Sequence, residues 1–216
     1  IIENGKPLDA YDFDYAIAAP RQRVAHDLAK VKWEHRLQDK GTLEVQYSYQ
    51  RNHRREYDLR RVESDYLPMV DLSLVTQTLD AVYRNRLFLV GVNGTLQINN
   101  NRPGTGTTPI IPNYDNHNIG VFGMTQLHRD NYHLEFGLRY DYRYFDAAGY
   151  SYDYQHPSPD GVVSQVLYTG HRSFHNVSGT AGLLMHILPG LNWRSNVGLA
   201  WRAPSANELY SDGLHH

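Results

Sequence analysis

Residues 131–145 read Asn131-Tyr132-His133-Leu134-Glu135-Phe136-Gly137-Leu138-Arg139-Tyr140-Asp141-Tyr142-Arg143-Tyr144-Phe145, and their period decides the fold. Tyr132, Leu134, Phe136, Leu138, Tyr140, Tyr142 and Tyr144 fall on one side of an extended chain. Asn131, His133, Glu135, Gly137, Arg139, Asp141 and Arg143 fall on the other. Successive strand side chains point to opposite faces, so this strand has one apolar and one strongly polar face. Residues 43–50 repeat the pattern, with Leu43, Val45, Tyr47 and Tyr49 set against Glu44, Gln46, Ser48 and Gln50. Residues 191–202 do the same, with Leu191, Trp193, Val197, Leu199 and Trp201 on the apolar side.

Five further strands are expected at 24–37, 70–82, 87–99, 117–127 and 175–188. The segment 70–82 is the least regular, because Leu72, Leu74, Val75 and Leu79 do not keep one phase. Tight turns are expected at Gln38–Lys40, Tyr83–Arg86, His128–Asp130 and Pro189-Gly190, and long segments at 53–69, 100–116 and 146–174. Short and long connections therefore alternate. Consecutive antiparallel strands put alternate connections at opposite ends, so one end carries the turns and the other the loops. Membrane-spanning β-barrels have this asymmetry, with short periplasmic turns and long outer loops. Segments of about 11–14 residues also exceed the ~5–6 of a globular strand and suit a tilted membrane strand of ~9–11. A soluble β-sandwich also alternates and also lacks helices. Strand length and loop asymmetry favour the barrel.

The composition fits. Of the 216 residues, 41% are hydrophobic and 20% charged, which indicates neither disorder nor a helical membrane protein. No run approaches the ~18 apolar residues of a membrane helix. A mean hydropathy of −0.58 is no argument against a barrel, since only alternate strand residues meet lipid. Tyrosine dominates the aromatics, with 17 Tyr against 6 Phe and 3 Trp, as suits an interface between apolar and wet surroundings. The absence of cysteine excludes disulfides, thiolate metal sites and a cysteine nucleophile. A net charge of −2 offers no attraction for nucleic acid. Ile1 brings no initiator Met or signal core, and His216 falls while a motif is still under way. The expectation is a piece, about a third, of a larger barrel.

The motif is Trp201-Arg202-Ala203-Pro204-Ser205-Ala206-Asn207-Glu208-Leu209-Tyr210, followed by Ser211-Asp212-Gly213-Leu214-His215-His216. It resembles the FRAPS-x-x-ELY segment of TonB-dependent outer-membrane receptors, in the form common in Bacteroidetes-type bacteria, with Trp201 in place of Phe. A second stretch, Gly104-Thr105-Gly106 through Ile111-Pro112-Asn113-Tyr114 to Gly120-Val121-Phe122, is similar to a loop-to-strand stretch of the same group. The resemblance implies a transmembrane barrel of roughly 22 strands, of which residues 1–216 supply about eight long antiparallel meander strands. It implies import of a scarce ligand such as a ferric siderophore, haem or cobalamin. The implied partners are outer-membrane lipid, the remaining barrel strands, a plug domain and, through that plug, TonB. Plug, TonB box and closing C-terminal strands are expected to lie outside these residues. No cofactor and no nucleic acid is implied.

Several residues invite functional readings. His215 and His216 fall where haem receptors of this family place an axial histidine, though the pair also belongs to the general motif. Of the 12 histidines, His26, His133 and His186 are expected on the polar face, and His53, His117, His156, His171 and His175 in or near loops. None has the spacing of a zinc helix, and scattered wet histidines are the plain reading. Tyr140, Tyr142 and Tyr144 suit an aromatic girdle. Tyr150, Tyr152 and Tyr154 continue the alternation, either as a hairpin arm beyond the membrane or as a stacking site for ligand. The basic run Arg51-Asn52-His53-Arg54-Arg55, with Arg60 and Arg61 after it, is expected in a loop, where it could attract anionic lipopolysaccharide or an anionic siderophore, a solvated loop being the plain reading. Ser205 and Ser211 lack a Gly-x-Ser-x-Gly context, and catalysis is not expected. The sequons at Asn93 and Asn176 fall inside expected strands and are discounted.

Overall fold

A computed structural model describes residues 2–3, 6–7, 15, 17, 19–58, 66–105, 107–153 and 155–210. Two short strands, β1 (Ile2–Glu3) and β2 (Lys6–Pro7), pair with each other. Eight long strands then follow: β3 (Arg21–Arg36), β4 (Thr42–Tyr57), β5 (Val70–Arg84), β6 (Phe88–Asn101), β7 (Asn113–His128), β8 (Tyr132–Tyr152), β9 (Gln165–Leu188) and β10 (Leu191–Leu199). Each pairs antiparallel with its sequence neighbour, in the order β10-β9-β8-β7-β6-β5-β4-β3. A short helix, α1 (Ala206–Tyr210), follows. One sheet holds all the long strands, so the two-sheet sandwich is excluded.

Two neighbouring rows of this ladder show what the alternation achieves. Trp33, Val45, Ala81, Val92, Val121, Tyr140 and Val177 are successive cross-strand partners from β3 to β9. One residue along lie Lys32, Gln46, Asp80, Asn93, Gly120, Asp141 and Asn176. The first row is on one face and the second on the other, because strand side chains alternate with period two. A slip of one residue anywhere would exchange the faces, so the pattern sets the register. The apolar face stays open: Leu138 is 65% exposed, Val177 55% and Val121 52%. We call it the outer face and the polar one the inner face.

The same rows show a stagger. Trp33 stands three positions from the end of β3, whereas Val177, in the same row, stands eleven from the end of β9. The shift falls between β6 and β9, and a stagger of this kind is the shear by which tilted strands, typically at roughly 35–45°, close a barrel.

Tight turns lie at one end. Gln38–Lys40 form a 3-10 turn, entered with Gln38 at φ 43° and left through Gly41 at φ 128°. Asn85 Oδ1 accepts the Leu87 and Phe88 amides at 2.9 and 2.8 Å, closing the second. Gly190, at φ 82°, shapes the last. The other end carries residues 58–69, 102–112 and 153–164.

The strands are longer at that end than the sequence suggested, and four expectations change. β4 runs to Tyr57, so Arg51–Arg55 lie in a strand and not in a loop. β9 begins at Gln165, β7 at Asn113, and His53, His117, His171 and His175 are strand residues. Only His156 of that group is in a loop. β10 stops at Leu199, before Trp201. The cause is common to the strand extensions. Above the apolar belt both faces are wet, so the hairpins go on pairing while the hydrophobic alternation fades. β8 and β9 continue this way to the pair Tyr152–Gln165, which is the hairpin arm.

Candidate functional site

The inner face is a hydrogen-bonded polar lining. Ser48 and Thr78 hydroxyls meet at 2.5 Å, and Asn116 Nδ2 donates to Gln97 Oε1 at 2.8 Å. Arg139 Nε donates to Asp141 Oδ2 at 2.6 Å, and its Nη2 donates to Asp141 Oδ1 at 2.5 Å. The same Nη2 reaches Asn93 Oδ1 on β6 at 2.7 Å. Arg139 is on β8, so the guanidinium crosses over β7. It crosses at Gly120, where a Cβ would stand 2.5 Å from Asn93 Oδ1 and 2.6 Å from Asp141 Oδ1. A glycine makes the bridge possible here by having no side chain.

Nearer the loop end, the inner face carries a packed strap. After β10, Ala203 is buried, and Ala206 is buried against Phe145 and Ala147 of β8. Ile111, Tyr114 and Tyr210 pack around this cluster. The rings form a stack: Tyr114–Phe145 at 4.9 Å, Phe145–Tyr210 at 5.5 Å and Tyr168–Tyr210 at 6.3 Å between centroids. Arg143 Nη1 donates to the Ala203 and Pro204 carbonyls, each at 3.3 Å. The loop before β7 is pinned to the same face, since Asn99 Nδ2 donates to Pro112 O at 2.9 Å and Asn101 Nδ2 to Ile111 O at 2.8 Å.

A capping box orders the strap. Ser205 precedes α1 and Glu208 lies three residues on. The Ser205 amide donates to Glu208 Oε2 at 2.7 Å, which satisfies an amide the helix cannot. Arg202 grips the same carboxylate with two bonds, of 2.7 and 2.5 Å. That fork, and then the Ser205 amide, hold Glu208 ionised and pull its pKa down to about 2.

At the turn end, the imidazoles of His128 and His133 stand 4.6 Å apart, and those of His133 and His186 stand 5.7 Å apart. His128 and His133 edge a cleft of about 480 Å³ with Glu135, Arg194 and Asn196. Among the described residues no group of three or more His, Asp or Glu is placed to hold a metal ion.

This combination of a tilted meander, an open apolar face, a polar lining and an inward-packed Arg-Ala-Pro-Ser strap has a match. Residues 3–215 fit the family described as TonB dependent receptor-like, beta-barrel. The chain belongs to that family. No match is found among curated proteins.

In this TonB-dependent receptor barrel, the motif residues come together as a structural unit. Arg202, Ser205 and Glu208 form the clamp, Ala206 and Tyr210 pack in the aromatic cluster, the buried Ala203 offers its carbonyl to Arg143, and Leu209 donates its amide to Ser205 O at 3.1 Å. Pro204 offers its carbonyl to Arg143, and Trp201 lies half-exposed with its ring 6.3 Å from that of Phe174. Tyr150 is elsewhere. It pairs with Leu167 in the outward phase and is 53% exposed, so it does not join Tyr210 on the inner face. Tyr152 ends β8 opposite Gln165. Tyr154, His215, His216, Arg60, Arg61 and Gly106 lie outside the described residues. His26, His133 and His186 take the inward phase, as expected.

Sequence reasoning missed Phe145, Tyr114 and Arg143 as partners of the motif. A signal was present. Phe145 and Ala147 are apolar residues on what had been the polar side of 131–143, which marks a place where the lining is covered.

Proposed function

We propose that the chain is part of the wall of an outer-membrane receptor that imports a scarce ligand, such as a ferric siderophore, haem or cobalamin. The supporting observation is the apolar outer face, continuous over the eight strands and backed by a hydrogen-bonded polar lining. In water such a face is an aggregation hazard, and in a bilayer it is the contact with lipid. The polar lining then surrounds the lumen, where a plug domain closes the passage and TonB acts through that plug. Loops 58–69, 102–112 and 153–164 face outwards from the cell, and the tight turns face the periplasm. Ligand contact is assigned to the outer end, to Tyr150 and Tyr152 on the arm, to Tyr154 two residues on in sequence, and to His215 and His216, which follow α1 in sequence. The chain acts by binding and passage, without catalysis.

Because residues 1–216 contain no cysteine, single cysteines placed among them report each face once any cysteine elsewhere in the receptor is replaced. In the receptor reconstituted in vesicles, Val92→Cys, Leu138→Cys and Val177→Cys should resist a water-soluble maleimide, whereas Thr95→Cys and Ser178→Cys should react. Equal labelling of both sets would overturn the membrane reading. Loss of ligand uptake on His215→Ala/His216→Ala, with barrel insertion unchanged, would support the outer-end assignment, and unchanged uptake would remove those two residues from it.

A further inference from the structure

Along β4 the outer face changes character abruptly. Leu43, Val45, Tyr47 and Tyr49 point outwards, and the next outward residues are Arg51, His53 and Arg55. On β3, Arg23 stands directly opposite Arg55. Like charges directly opposed on one face of an antiparallel pair repel, so this arrangement costs stability unless an anion sits between them. Two carboxylates share the patch: Asp27 opposite Arg51, and Asp71 opposite Arg55. Asp71 already has three neighbours. His53 Nε2 lies 2.6 Å from its Oδ1, Arg102 Nε 3.9 Å from the same oxygen and Arg55 Nε 3.7 Å from Oδ2. Among the described residues no ion pair joins Arg23 or Arg51 to a carboxylate.

Direction decides what such a patch can meet. An anionic ligand on its way through the barrel travels along the inner face and cannot reach side chains on the outer one. The patch instead adjoins the apolar belt at its loop end, at the level where lipid headgroups lie. Guanidinium forks match phosphate oxygens two at a time. We propose that Arg23, Arg51 and Arg55 bind the phosphate groups of anionic lipid in the outer leaflet. This rests on the membrane reading above. It replaces the expectation of a charged loop with a lipid-facing strand surface, on which the Asp71–His53 contact ties β4 to β5 between Arg51 and Arg55.

The test uses the receptor that carries this segment, reconstituted in phosphatidylcholine vesicles and titrated with diphosphoryl lipid A or its dephosphorylated form. The wild type should prefer the diphosphoryl lipid by about 10-fold or more, as three surface cations allow. Arg23→Gln/Arg51→Gln/Arg55→Gln should abolish the preference, and the single Arg51→Gln should reduce it. The inward triple Lys30→Gln/Lys32→Gln/Arg36→Gln should leave it intact. An inserted wild type with no preference, or a triple variant that keeps it, overturns the lipid site and leaves the membrane reading standing. Full competition by inorganic phosphate identifies a free-anion site and overturns the lipid assignment. Failure of the wild type to insert overturns both readings.

Discussion

Arg139 of β8 and Asn93 of β6 are joined by a 2.7 Å hydrogen bond across the strand that separates them. The bond exists because Gly120, in the same row as Asn93 and Asp141, puts no side chain in the way. A polar lining is thereby tied together over three strands.

Gly120→Ala should break this bridge. Its Cβ would meet the guanidinium and both oxygen partners, forcing Arg139 out of the plane of the lining. The side-chain ends it meets can swing aside, so the expected loss is that of the bridging hydrogen bond, about 0.5–1.5 kcal/mol, read from urea unfolding of the receptor in lipid. Asn93→Ala should cost about as much, since it removes the same bond while Asp141 still holds Arg139 with two bonds. If Gly120→Ala unfolds like the wild type, the bridge is not a determinant of stability.

The two faces should respond oppositely to charge. Val121→Arg places a cation on the apolar row and should cost about 2–4 kcal/mol in a bilayer, the usual penalty for a lipid-facing cation near mid-depth. Thr95→Arg, on the inner face, should cost well under half of that. Unfolding in vesicles of fixed composition separates them.

Phe145→Ala should release the strap. Phe145 is 2% exposed and joins Tyr114 to Tyr210, so its loss leaves a hole beneath α1. The cluster is small and the site can partly collapse, so a cost near the lower end of the range, about 3 kcal/mol, is expected. Limited proteolysis at residues 200–210 should become faster. Unchanged cleavage would show that Arg143 alone holds the segment.

The capping box should be acid-labile in a defined direction. Glu208 has its pKa lowered from the ordinary carboxylate range to about 2, so it binds protons less readily folded than unfolded. Its contribution is therefore complete above about pH 4.5 and is lost as the pH falls through that range towards 2. Amide exchange at Ser205 and Leu209 should stay slow from pH 7 down to about 4.5, after correction for intrinsic rates, and quicken below it. Glu208→Gln should quicken exchange at neutral pH and flatten the profile.

Much of the wall was legible because a strand in a two-sided environment writes its period into the chain. Residues 131–145 alone gave β8 its phase, and the order of tight and long connections fixed the meander. The irregular 70–82 segment also proved to be a strand. Its phase breaks because Leu72 and Leu74 point inwards, beside Asn101 and Asn99, where the lining is covered near the loops. The basic run 51–55 was legible as charge and misplaced as a loop, since a strand with two wet faces carries no alternation of apolar residues.

By itself, then, the sequence determined the class of structure: all-β, with long strands, one apolar face, turns at one end and loops at the other. It also carried the family motif, and in Ser205 and Glu208 the local capping of α1. Those properties depend on neighbours along the chain, at separations of two or three residues. Tertiary structure alone decided that Arg51 and Arg55 face outwards beside Arg23, that Arg139 reaches Asn93 over Gly120, and that the Arg-Ala-Pro-Ser strap folds onto Phe145. Each joins residues far apart in the chain, and which residues meet is set by register across the sheet and by where the chain returns after β10.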